Sequence, residues 1–134
     1  MSEKVHLLHK INSVAEFHDT FLIGNRYEPT AEVGENEFQL RYNLIKEENE
    51  EYLDACKNGD IVEIADALGD QLYILFGTIL RHGLQHKIEE VFDEIHRSNM
   101  SKLDGEGKPI FREDGKILKS EKYFRPNIKS ILDK

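Results

Sequence analysis

Between residues 12 and 100 the chain holds one proline, Pro29, and its apolar residues recur at i, i+3, i+4 and i+7. That spacing gathers side chains on one face of an α-helix, whereas a half-buried strand needs a period of two. Four helices are predicted. The first runs from about Ser13 to Ile23, with Val14, Phe17 and Phe21 as its apolar stripe and Ser13 and Glu16 in capping-box spacing. After a loop around Pro29 and Gly34, the second runs from about Asn36 to Lys57. It carries Phe38, Leu40, Leu44, Ile45, Tyr52, Leu53 and Ala55, and stops at Asn58-Gly59. Asp60 is placed to cap a third helix reaching about Arg81. Its Ile61, Ile64, Ala65, Leu68, Leu72, Leu75, Phe76 and Ile79 make a face broad enough for a central, buried helix. A fourth, from about Gln85 to Met100, repeats the pattern with Ile88, Val91, Phe92 and Ile95.

The pattern changes after residue 103. Asp104-Gly105, Gly107-Lys108-Pro109 and Asp114-Gly115 are turn sequences around two short apolar pieces, Pro109-Ile110-Phe111 and Ile117-Leu118. They predict a small hairpin or ordered arm, and Pro126 can open a last short helix ending at Leu132. The expected organisation is all-α: a helical catalytic domain over residues 1–103 and an irregular arm over 104–134.

Composition narrows the partners. With 26 Asp and Glu against 18 Lys and Arg in 134 residues, the formal charge is −8, so nucleic acid is not an expected partner. A hydrophobic share of 39% supports a modest core, which makes a core shared between subunits a reasonable expectation. No apolar run nears the roughly 18 residues of a membrane span, and the charged start Met1-Ser2-Glu3-Lys4 lacks signal-peptide character. A soluble, cytoplasmic protein with no membrane partner is expected. The single cysteine, Cys56, cannot make an internal disulfide and reads as a buried or idle thiol.

The second helix holds Glu47, Glu48, Glu50, Glu51 and Asp54 within eight positions, where like charges one turn apart oppose the helix by roughly 0.2–0.5 kcal/mol per pair. A solvated acidic face flanked by Lys46 and Lys57 would account for such a run. The third helix argues otherwise, because Glu63, Asp66 and Asp70 share one stripe of an otherwise apolar helix. Carboxylates there must neutralise, pair or meet a cation. Glu47, Glu48 and Glu51 facing Asp66 and Asp70 would form the all-oxygen donor set that suits Mg²⁺ or Mn²⁺. Because Mg²⁺ characteristically shares its shell with substrate phosphates, a nucleoside triphosphate is the expected substrate.

No phosphate-binding P-loop, zinc H-E-x-x-H pair or G-x-S-x-G elbow occurs in the sequence. His6, His9, His18, His82, His86 and His96 are scattered, and His82 and His86 straddle Gly83, which favours surface histidines over a metal pair. At the end of the fourth helix, Asn99 is a poor helix former whose amide can bond a phosphate, while Lys102 adds a point charge. The pair reads as a phosphate clamp, although cations near a helix C-terminus also suit its dipole.

These residues resemble the all-α NTP pyrophosphatases, which comprise MazG-like enzymes, dimeric dUTPases and phosphoribosyl-ATP pyrophosphohydrolases. Arg41-Tyr-Asn-Leu-Ile-Lys-Glu-Glu-Asn-Glu-Glu51 is similar to the family's R-x-x-L-I-x-E-E-x-x-E segment. Asp66-Ala-Leu-Gly-Asp-Gln-Leu-Tyr73 with Gly77 resembles its D-A-L-x-D-x-L-Y segment. His96-Arg-Ser-Asn-Met-Ser-Lys102 and the later Gly-Lys-Pro-Ile-Phe resemble the MazG-like, phosphoribosyl-ATP-pyrophosphohydrolase-like branch. The resemblance implies a four-helix bundle assembled across subunits, as a homodimer or homotetramer. It also implies Mg²⁺- or Mn²⁺-dependent cleavage between the α and β phosphates, giving a nucleoside monophosphate and pyrophosphate. Glu48, Glu51 and Asp70 would ligate metal, Glu47 would be a further ligand or the water-activating base, and Asn99 and Lys102 would hold phosphates. Ala67 stands where the pattern E-x-x-D wants Glu, so Asp66 replaces that ligand, or Glu63-Ile-Ala-Asp66 is the true match. The base pocket is expected to draw on Phe17, Phe21 and Phe38. Phosphoribosyl-ATP hydrolysis in histidine synthesis and a non-catalytic acidic helical module are the competing readings.

Overall fold

The computed structural model describes residues 6–134 and contains five helices: α1 (Leu7–Thr20), α2 (Glu35–Lys57), α3 (Ile61–Arg81), α4 (Ile88–Met100) and α5 (Ile128–Leu132). The charged start at Met1-Ser2-Glu3-Lys4 lies outside the described residues. No described residue belongs to a strand, and one isolated antiparallel bridge joins Phe111 to Ile117. None of these helices is long and apolar enough to cross a membrane. The chain forms two compact units, Met1–His86 and Lys87–Lys134.

In the first unit, α2 and α3 are joined by Asn58-Gly59-Asp60 and pack as an antiparallel hairpin, with α1 laid against α3. The Asp60 carboxylate accepts from the amides of Val62 and Glu63, which is the N-cap the sequence predicts. The first helix begins six residues before the expected Ser13. Leu7 extends its apolar stripe, Ile11, Val14 and His18 are buried, and Ser13 lies mid-helix with its hydroxyl directed at the His9 carbonyl. The Ser13–Glu16 spacing is therefore no capping box. It lies within a helix already begun.

Three helices interlock at Arg41. This buried guanidinium donates to Thr78 Oγ1 (2.9 Å) and to the Ile74 carbonyl (2.8 Å). A methyl group at Gly77 would stand 2.6 Å from Arg41 Nη2 and 2.9 Å from His18 Nε2, so α1 and α2 can approach α3 here only because residue 77 has no side chain. Burial holds the His18 pKa below 6.5, which leaves a neutral ring whose Nδ1–H donates to Asn25 Oδ1 (3.0 Å). Beyond α1, the chain is tied to the end of α3. Arg81 pairs with Glu37 and donates to the carbonyls of Ile23 and Gly24, while buried Gln85 donates to the Arg26 carbonyl. That use of Gln85 is why α4 starts at Ile88 instead of Gln85. Gly83 has φ +68°, and a Cβ there would meet the Glu28 carbonyl at 2.2 Å.

The central burial expected of α3 is only partly realised. Ala67, Phe76, Gly77, Ile79 and Leu80 are buried, but Leu68, Leu72 and Leu75 are about half exposed, and Ile61 and Val62 more so. Cys56 is exposed and free, not buried.

In the second unit, Ser98 donates to the Phe124 carbonyl, Glu94 accepts the Asn127 amide, and Arg97 lies 4.3 Å over the Phe124 ring. These contacts hold the arm and α5 against α4. The expected last helix exists, capped by Asn127 and burying Ile131.

Candidate metal centre

Antiparallel pairing places the middle of α2 opposite the first half of α3. Glu48 and Glu51 are one turn apart on α2, and Asp70 enters from α3. One carboxylate oxygen from each of Glu48, Glu51 and Asp70 lies within 4.8 Å of the others. Gln71 stitches the two helices at this level, its amide donating to the Glu48 carbonyl (3.3 Å). The charge density is unbalanced among the described residues, since none of the three carboxylates has a Lys or Arg partner.

The protonation chemistry reports the strain of that arrangement. Burial, then the adjacent Glu51, then the charges of Asp70 and Asp66 push the Glu48 pKa from 4.5 up to about 7. Asp70 is also raised, by burial and by the charges of Asp66 and Glu51. Glu48 Oε2 is sealed from solvent and has no hydrogen-bond partner among the described residues. An orphaned carboxylate oxygen inside a ring of like charges can be relieved by a proton or by a cation. The donor set is three carboxylates with no sulfur or imidazole, which suits a hard divalent ion such as Mg²⁺ or Mn²⁺.

The other predicted residues are placed differently. Asp66 is exposed and outside the 4.8 Å group, although its charge is felt by both Glu48 and Asp70. It borders a separate hollow of about 280 Å³ together with Glu51, Asp54 and Glu63. Glu47 is exposed and not a member of the converging group. Asn99, exposed, and Lys102, half-buried, belong to the second unit. Phe17 and Phe21 meet as tilted rings with centroids 4.6 Å apart, and Tyr73 of α3 meets Phe17 edge-on at 5.6 Å, while Phe38 is half exposed. Sequence reasoning missed Gln71 and the Tyr73 contact. Both follow once the α2–α3 register is known, because Gln71 and Tyr73 lie one and three residues after Asp70.

A helical hairpin that closes three carboxylates on one another defines an all-α protein with a candidate divalent-cation centre. The family model described as phosphoribosyl-ATP pyrophosphohydrolase matches residues 14–99, and the chain belongs to that family, part of the MazG-like all-α NTP pyrophosphatase superfamily. An uncharacterized protein of Acanthamoeba polyphaga mimivirus is 30% identical over 99 residues, covering 72% of this chain. The aligned region spans 36% of that viral protein's length.

Proposed function

We propose that this protein is a metal-dependent nucleoside triphosphate pyrophosphohydrolase that cleaves the α–β bond, yielding a nucleoside monophosphate and pyrophosphate for nucleotide-pool housekeeping in the cytoplasm. The observation that carries the reading is the convergence of Glu48, Glu51 and Asp70 around an orphaned carboxylate oxygen. When bound, Mg²⁺ or Mn²⁺ supplies the positive charge that offsets repulsion between this acidic site and a polyphosphate. Glu48, Glu51 and Asp70 hold it, with Asp66 adding charge from the next turn. Glu47, exposed at the position before Glu48 on α2, is our choice for the base that accepts the proton of the attacking water. Asn99 donates to a phosphate oxygen, and Lys102 contributes a positive charge to the same group. Half-exposed Leu68 and Leu75 of α3 belong to the face across which helices pair in a homodimer or homotetramer, completing the four-helix arrangement of the domain at residues 1–103.

Phosphoribosyl-ATP is the second reading, favoured by the family whose model matches this chain. Purified protein incubated with Mg²⁺ or Mn²⁺ and a panel of nucleoside triphosphates, with phosphoribosyl-ATP in parallel, decides between them. Pyrophosphate release is expected from a nucleoside triphosphate. Orthophosphate as the sole product would overturn α–β cleavage, and turnover confined to phosphoribosyl-ATP would establish the second reading.

A further inference from the structure

Gly69 is a helix-interior glycine without an internal reason. It lies in the middle of α3, and a Cβ added there would meet nothing within 4 Å, unlike Gly77, whose missing side chain makes room for Arg41. Glycine is the least favourable residue after proline in a helix interior, so its placement at an open position gains the fold nothing. What it does provide is a recess. A cleft of about 500 Å³ runs between α1 and α3, with Val14 on one wall, Leu72 and Phe76 on the other, Gly69 and Tyr73 along it and Lys10 beside it. That volume suits a small organic ligand, and apolar walls with one or two polar groups are the usual lining of such sites.

The position of the cleft says which part of a ligand it takes. Gly69 immediately precedes Asp70, and Tyr73 follows it by one turn, about 4.5 Å along the axis. Around the helix Tyr73 stands about 60° and Gly69 about 100° from Asp70, so a molecule whose phosphates lie at the carboxylates reaches the cleft by curving around α3 past Tyr73. Tyr73, buttressed edge-on by Phe17, offers an aromatic surface there. Among the described residues Lys10 has no ion pair, and it can donate to a ring carbonyl or ring nitrogen.

We propose that the Gly69–Tyr73 cleft between α1 and α3 is the nucleobase subsite, seating the aromatic base of the nucleotide against Tyr73, Leu72 and Phe76. This inference rests on the nucleotide reading above. It differs from the Phe17, Phe21 and Phe38 pocket expected from sequence, since it places the base on α3 and leaves Phe17 as a support.

Gly69→Leu tests it by filling the recess, with Gly69→Ala as the graded control; both replace glycine by better helix formers and are expected to fold. The readouts are dissociation constants for a panel of nucleoside triphosphates by equilibrium dialysis with Ca²⁺, and those for Mn²⁺ and inorganic tripolyphosphate, which has no base. Gly69→Leu is expected to weaken nucleotide binding at least tenfold and Gly69→Ala less, with Mn²⁺ and tripolyphosphate within twofold of wild type. Equal nucleotide affinity in wild type and Gly69→Leu would overturn the subsite while leaving the proposed chemistry standing. A changed sedimentation coefficient in Gly69→Leu would also overturn it, showing that a second copy covers the cleft. Weakened binding in a protein that releases no pyrophosphate would sustain the subsite and refute the chemistry.

Discussion

Replacing Glu48 by Gln should make the metal-free protein more stable at alkaline pH, and the structure sets the size and sign of the effect. Burial and its carboxylate neighbours raise Glu48 from 4.5 to about 7. At about 1.36 kcal/mol per pH unit this corresponds to a ceiling of about 3 kcal/mol. Although its Oε2 is sealed, Glu48 as a whole is only half-buried, so screening reduces the realised effect to on the order of 1 kcal/mol. The folded state holds the proton more tightly than the unfolded state. Wild-type stability from this group is therefore intact below about pH 4.5, falls as pH rises towards about 7, and is flat beyond. Glutamine is neutral throughout and removes that slope. Urea unfolding at pH 5 and pH 8 in a chelator should show the variant gaining on wild type between the two pH values by about 1 kcal/mol. Mg²⁺ at pH 8 should stabilise wild type and leave Glu48→Gln unmoved. A variant that loses stability relative to wild type between pH 5 and pH 8 would refute the argument.

Asp70→Asn is expected to reduce pyrophosphate release at least a hundredfold while leaving the far-ultraviolet circular dichroism unchanged; wild-type turnover in this variant would move the site elsewhere. Gly77→Ala drives a methyl into Arg41 and His18 and should cost about 1–3 kcal/mol in urea unfolding. Asp60→Ala removes two hydrogen bonds to the start of α3 and should cost about 1 kcal/mol, with no change in metal affinity.

The helices were legible where pattern and punctuation agreed. Both ends of α3 follow from Asp60 and from the last periodic residues before His82-Gly83, and α2 is displaced by one residue at its start. At α1 they conflicted: Ser13 and Glu16 have cap spacing, but Leu7 and Ile11 continue the stripe one and two turns earlier, and packing against α3 decides. The breadth of apolar surface on α3 reports a need for burial without saying which molecule supplies it, which is why Leu68, Leu72 and Leu75 remain open in a single chain.

The candidate site was legible in the same partial way. Glu48 and Glu51 are one turn apart, and the short Asn58-Gly59-Asp60 connection forces α3 back along α2, so a meeting with Asp66 or Asp70 is readable. Choosing between those two requires the side-chain geometry, which groups Asp70 with the glutamates. Glu47 belongs to the same acidic run, but its neighbouring position points it about 100° around the helix. The Arg41, Gly77 and His18 contact was out of reach because it depends on the register of three helices at once.

Anomalous scattering from crystals grown with Mn²⁺ puts the carboxylate cup to its most direct trial. The account predicts a peak within bonding distance of oxygens from Glu48, Glu51 and Asp70, and none in crystals of Asp70→Asn. Manganese bound elsewhere, with these three side chains unoccupied at saturating concentration, would contradict it.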